Sequence, residues 1–256
     1  MKSVTFDRAA PNYDDMHGFS TETAAAIARL FIEAGGIHAG SRIVEPGIGT
    51  GRVALPLAHQ SGASVIGIDL SNPMMQKLRN KQDNETVFAI CADAMQLPLP
   101  DNAFDTAVVT HVFHLVADWQ VALAEIGRVL RPDGLLLNSW TWYSENDFIR
   151  VWRDVLGRKK TSDRFAAFGG TDFLDEAGWE RRGDTLELPY TITRTPGDYI
   201  AGVENRVQSA TWKMTEDEIA DGIQELHEAA AQYDLPLDKP FEREAIFHVA
   251  PYAPHK

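Results

Sequence analysis

The strongest constraint on the fold is an alternation that runs from residue 42 to residue 140. Five short apolar runs, "RIVE", "SVIGID", "TVFAIC", "FDTAVVT" and "LLLNSW", read as strands, and helical segments alternate with them. One helix is expected from about Gly51 to His59, with Pro56 near its start, where a missing N–H costs little. A second spans Asn72 to Lys81, capped by Ser71, with Pro73 in its first turn. A third is capped by Asp118, shares Leu123, Ile126, Val129 and Leu130 on one face, and ends at "RPDG". Upstream, Ser20 to Ala34 places Ala24, Ile27, Leu30 and Phe31 on one face before Gly35-Gly36 stops it. Strands alternating with helices imply βαβ units and a parallel sheet, and near-continuous apolar strands imply that helices cover both faces.

After Trp140 the pattern changes. Ser144 to Leu156 reads as a helix, "TDFLDEAGW" as a short one closed by Gly178, and "DTLELPYTIT" as a strand. Two helical segments follow, about Gly197–Val207 and Thr215–Tyr233, the second opened by a Thr215/Glu218 capping box. "EREAIFHVA" is the closing strand. The expected architecture is a Rossmann-like, doubly wound α/β fold. It has a mostly parallel seven-stranded sheet, helices on both faces, and a helical insertion at about 195–235 between the last two strands. Residues 1–256 read as a single domain: an N-terminal helical segment (1–36), a ligand-binding core (40–140) and a substrate-side half (141–256). The insertion reads either as a packing layer on the sheet or as a lid over the ligand cleft.

Composition narrows the partners. A net charge of −13 and a pI near 5.0 repel phosphate backbones and anionic lipid surfaces, so neither nucleic acid nor membrane is an expected partner. Cys91 is the one cysteine, which leaves no disulfide framework; in "TVFAIC" it reads as a buried thiol. There is no apolar run of signal-peptide or membrane-span length, so a cytoplasmic location is expected. No His/Asp/Glu cluster has metal-ligand spacing, and no metal is expected.

The first strand runs into "EPGIGTGR". Gly47, Gly49 and Gly51 allow a tight turn and close approach of a ligand to main chain, but Arg52 stands where the dinucleotide fingerprint needs a third glycine. Glu45 would repel a pyrophosphate. It would attract S-adenosyl-L-methionine, which carries an ammonium and a sulfonium and no phosphate. Asp69 ends the second strand at the distance expected of a ribose-binding carboxylate. Asp93, just past the third strand, is placed to accept from an adenine amino group. Each acid taken singly could be a turn or cap residue.

In "VEPGIGTGR", "GIDLSNPMM", "CADAMQLPLPDNAFD" and "VFHLVADWQVALAEIGRVLRPDG", residues of about 40–140 resemble the class I S-adenosyl-L-methionine (SAM)-dependent methyltransferases. The resemblance is to the small-molecule group that includes the ubiquinone/menaquinone-biosynthesis type (methyltransferase type 11). "FDRAAPNYD" resembles that group's lead-in, where an aromatic residue, here Tyr13, often lies against the cofactor. By this resemblance Glu45 and the Gly47–Gly51 loop hold the methionine part. Asp69 holds the ribose with Leu70 and Met74 nearby, Asp93, Ala94 and Met95 hold the adenine, and Thr110 and His111 face the methionine part and the methyl group. The resemblance implies SAM as cofactor, S-adenosyl-L-homocysteine (SAH) as product, and a small-molecule acceptor methylated on O, N or C.

Methyl transfer from a sulfonium is an in-line displacement, in which alignment does much of the work. A base is needed only for an acceptor proton of high pKa, and His111, then His114, are the candidates, with Tyr13 and His17 weaker ones. Either histidine could instead be structural. Trp140, Trp142, Tyr143, Tyr199 and Trp212 are candidates to line an acceptor pocket, and Arg206 is expected in a surface salt bridge. Two other readings stay open: a SAM-binding enzyme of non-transfer, cyclase-like chemistry, and a non-catalytic SAM-binding protein.

Overall fold

A computed structural model describes residues 3, 5–157 and 172–254. The sheet contains β1 (Arg42–Pro46), β2 (Ser64–Asp69), β3 (Val87–Cys91), β4 (Phe104–Thr110), β5 (Leu130–Tyr143), β6 (Trp179–Arg181), β7 (Leu186–Arg194) and β8 (Phe241–Pro254). The order is β3-β2-β1-β4-β5-β8-β6, with β7 also paired to β8. β1 to β5 are parallel, and β8 runs antiparallel to β5, β6 and β7. The expected seven strands become eight, because Trp179–Arg181 pairs with the far end of β8. Three residues are too few to show a period-two pattern in sequence.

Two apolar layers cover the central strands. Alternation along β4 sends Ala107 and Val109 to one layer and Val108 to the other; β5 does the same with Leu136 and Leu137. The first layer is closed by α5 (Trp119–Val129) and α7 (Asp172–Glu176), the second by α2 (Thr21–Gly35), α3 (Ala54–Ser61) and α4 (Asn72–Lys81). The caps read from sequence form: Ser20 accepts from Thr23 N, Ser71 from Met74 N, and Asp118 from Gln120 N and Val121 N. Thr171, the first residue of the expected "TDFLDEAGW" helix, lies outside the described residues. Cys91 is exposed, contrary to the buried thiol expected. β3 is the sheet's edge and pairs only with β2, so its apolar run is not enclosed; Phe88 beside it is 61% exposed.

Between β7 and β8 the chain forms α8 (Pro196–Glu204), a 3-10 turn at Ser209–Lys213 and α9 (Glu216–Gln232). The Thr215/Glu218 capping box is present, and Thr195/Asp198 makes a second one at α8. The insertion builds a core of its own with α6 (Asp147–Gly157). Phe148, Ile149 and Val155 meet Tyr199, Val203, Ile219 and Leu226 there.

Candidate functional site

β1 is flanked by β2 on one side and β4 on the other, so the chain direction of the crossovers reverses between β1 and β4. A cleft lies beyond the strand ends at this switch point, where ligands bind in open α/β sheets. Gly47 and Gly49 line it from the β1 turn, Asp69, Leu70 and Met74 from the end of β2 and the start of α4, Ala92, Asp93 and Ala94 from the end of β3, and Thr110 and His111 from the end of β4. Tyr13 closes it from the N-terminal segment. Glu45, Gly51 and Met95 are not among the lining residues. Ser3, Phe6, Val112, Leu115 and Val116 are, and the sequence reading missed them. Phe6 stands in the quoted lead-in beside Tyr13, and the three apolar residues follow directly on the β4 end, so proximity to the motifs was the available signal.

The glycine turn is dictated by crowding. Gly47 has φ +75°, and a Cβ there would come within 2.4 Å of Val112 Cγ2. Gly51 has φ +74°, and its Cβ would press on Leu78 of α4, so this glycine serves helix packing rather than the cleft. The turn is held from below by Gly47 N donating to Ile68 O (2.6 Å) and from the side by Gly49 N donating to Asp69 Oδ2 (2.8 Å). Asp69 also accepts from Ser71 N at 2.8 Å. It is thus a turn residue, and a carboxylate's remaining lone pairs are still available to the cleft it lines. Burial raises its pKa, against the backbone donors. Asp93 accepts from Met95 N and from the Ser3 hydroxyl, both at 3.0 Å.

Glu45 is 3% exposed, and its Oε2 has no hydrogen-bond partner. Burial pushes its pKa up to about 8; Arg52 opposes this and Asp69 reinforces it. A buried carboxyl left without a partner at the mouth of a glycine turn is costly unless a cation arrives.

Ser3 and residues 5–17 lie over the cleft, strapped down at several points. Arg52 Nη1 donates to His17 O (2.8 Å) and its guanidinium sits 4.8 Å over the Phe19 ring. Lys77 donates to Pro11 O, Thr50 and Lys81 to Asp14, and Arg194 to Asp15 O and Met16 O. The residue that broke the dinucleotide pattern, Arg52, is therefore a fastener for the cover. His111 has φ +56°, a left-handed conformation uncommon outside glycine, and its Nε2 lies 3.3 Å from Thr141 Oγ1. Burial, helped by Arg52, depresses its pKa to about 3; burial likewise takes His114 and His17 to about 4. His114 lines a smaller pocket behind His111, with Asn138, Ser139 and Phe173.

The five candidate acceptor-pocket aromatics are not brought together. Trp140 stacks on His248 (4.9 Å, 3°), and Trp142 is 50% exposed. Both alternate along β5 with Thr141 and Tyr143, so they face the opposite side of the sheet. Tyr143 meets Tyr190 and Arg243, Tyr199 packs in the insertion core, and Trp212 meets Phe6 of the cover edge-on (4.8 Å). Arg206 forms the expected bridge to Glu216 (2.8 Å) and also holds Thr211 O and Met214 O. Among the described residues no group of three His, Cys, Asp or Glu is placed to hold a metal ion, and no helix is long and apolar enough to cross a membrane.

The sheet order, the glycine turn and the cleft at the switch point define a Rossmann-like, doubly wound α/β protein. More narrowly, residues 44–138 match the family described as a methyltransferase domain. A demethylmenaquinone methyltransferase of Thermus thermophilus is 35% identical over 140 residues, which are 52% of this chain and 62% of that protein. The chain thus spans less than two thirds of the curated relatives it matches. A SAM-dependent methyltransferase from Thiobacillus denitrificans, solved with SAH, is 15% identical with a TM-score of 0.58 and covers 100% of both chains. The [4+2]-cyclase SpnF is 21% identical with a TM-score of 0.59, covering 100% of this chain and 99% of its own. These two show the shared fold. The Thiobacillus protein is described as SAM-dependent; in this chain the buried Glu45 Oε2, which has no hydrogen-bond partner, is of a chemistry that suits an ammonium.

Proposed function

We propose that the protein is a SAM-dependent methyltransferase acting on O, N or C of a small molecule. The observation that carries this reading is Glu45: a buried carboxyl without a partner, beside a turn whose main chain is open to a ligand. When bound, SAM supplies an electrophilic methyl carbon, whose bond to sulfur breaks as the acceptor's bond to it forms, the electron pair staying on sulfur. In this reading Glu45 takes the ammonium, and Gly47 and Gly49 give main-chain approach to the methionine part. Asp69 offers its free lone pairs to the ribose hydroxyls. Asp93 shares its carboxylate between Ser3 and the adenine edge. Phe6 and Tyr13 keep water from the cleft.

His111 fits positioning better than base catalysis. A pKa of about 3 gives it little affinity for a phenolic or alcoholic proton, and its bond to Thr141 fixes the ring at the end of β4. Rate acceleration then comes chiefly from alignment, and the acceptor's own acidity decides whether its proton is already gone. Titration calorimetry with SAM, SAH and NAD tests the cofactor, and mass spectrometry of small molecules incubated with methyl-labelled SAM tests transfer. Micromolar SAM and SAH affinity with no NAD binding is expected; NAD binding without SAM binding would overturn the reading.

A further inference from the structure

The chain is strongly acidic, with a net charge of −13, yet it gathers cations in one place without neutralising them. Among the described residues, Arg52, Arg194 and Arg243 form no ion pair within the 4.0 Å limit. Two of the three have structural work. Arg52 and Arg194 donate to the main chain of the cover at Asp15, Met16 and His17. Arg243 does not touch the cover. Its Nε donates to Ser144 O (2.7 Å), its guanidinium lies 4.7 Å over the Tyr143 ring, and its charge acts on the Tyr199 hydroxyl. A half-buried guanidinium without a carboxylate, presented by an aromatic face, is shaped for a planar anion.

This guanidinium is linked to the cleft by a row of polar side chains. His111 lines the cleft and reaches Thr141 Oγ1 at 3.3 Å. The Tyr190 hydroxyl is within electrostatic reach of both Thr141 and Tyr143, and Arg243 covers Tyr143. Thr141 and Tyr143 are two residues apart on β5, so they share a face and stand about 7 Å apart along it. Thr141, Tyr143, Tyr190 and Arg243 are all half-buried, so solvent reaches each of them.

We propose that this row is the acceptor subsite and that it takes a small aromatic acid. The ring lies along Tyr143 and Tyr190, the carboxylate meets Arg243, and the atom to be methylated lies at His111. The inference rests on the methyl-transfer reading and narrows its substrate class. The separation of the faces of β5 is what selects it: the tryptophans, the more obvious aromatics, are on the other side.

The test uses SAH-saturated protein titrated with 4-hydroxybenzoate and with 4-hydroxybenzamide, which match in shape and differ in charge. The acid should bind at least tenfold more tightly than the amide. Arg243→Met should bring the two level while SAH affinity stays within twofold, and Arg243→Lys should restore part of the preference. The inference fails if the unaltered protein binds both equally or binds neither, or if Arg243→Met keeps the preference. Should Arg243→Met lose SAH binding through misfolding, the acid-to-amide ratio of the unaltered protein still decides. Absence of SAH binding to the unaltered protein would instead sink the methyltransferase reading itself, so the two failures are distinct.

Discussion

At the scale of single residues, Glu45 is where sequence and energetics meet. It reads as an anomaly beside a glycine turn, and in the folded protein it is a buried acid whose pKa is about 8. At pH 7 it is mostly protonated, and an ammonium beside it should pull its pKa down. SAM binding at pH 7 should therefore release close to one proton, measured as the dependence of calorimetric enthalpy on buffer ionisation; no release would mean that Glu45 does not meet the ligand's cation. The same group destabilises the free protein as pH rises. Its folded pKa is raised, so its contribution is intact below pH 4.5 and lost as pH climbs through about 8. Glu45→Gln should raise the Tm of the free protein at pH 8.5, by roughly 2–4 °C per kcal/mol recovered, while abolishing SAM binding. Asp69 behaves differently. Because it holds Gly49 N and Ser71 N, Asp69→Ala should lower both the Tm and SAM affinity, the latter at least about tenfold for the loss of charge-assisted bonds. A tenfold loss of affinity with no fall in Tm would contradict the double role.

At the scale of elements, the sequence leaves the insertion as either a packing layer or a lid, and the cleft's lining places the N-terminal cover over it. The cleft is closed by Ser3, Phe6 and Tyr13, and the insertion reaches it through the Trp212–Phe6 edge contact. Met16 of the cover also lies against Gly202 of α8; Trp212 Nε1 is tied to Arg206 O, and most of the insertion's apolar surface packs with α6. We propose that the insertion acts as a brace for a hinged cover. Trp212→Ala should speed hydrogen exchange of residues 5–17 in the free protein by about an order of magnitude while changing exchange in β1 and β4 little. SAH should slow exchange in the same segment. If residues 5–17 exchange as slowly as β4 with or without SAH, the cover is fixed scaffold and neither segment is a lid.

At the scale of the molecule, the pH response sums over groups buried together. His17, His111 and His114 are neutral in the fold, held at about 4, 3 and 4 against 6.5. Their folded pKa values are depressed, so the unfolded chain binds protons first, and stability present above pH 6.5 is lost as pH falls toward about 4 and then 3. Urea midpoints should drop steadily from pH 6.5 to 4, and replacing His114 with Gln should flatten part of that slope; an unchanged slope would mean that His114 is protonated in the fold. The sequence by itself determined what depends on neighbours along the chain. Strand positions followed from apolar runs, helix starts from Ser71, Asp118 and Thr215, and the turn from Gly47 and Gly51. The strand-end acids Asp69 and Asp93 could be found because a parallel sheet places every strand end on the same side. Only the tertiary structure decided what depends on pairing across the sheet. It put β3 at the edge, which exposed Cys91, and added β6, too short to have a period. It turned Trp140 and Trp142 away from the face that Tyr143 shares with Arg243. It also left Glu45, Arg52, Arg194 and Arg243 without ion-pair partners among the described residues, since a charge is unpaired only by virtue of everything that folds around it.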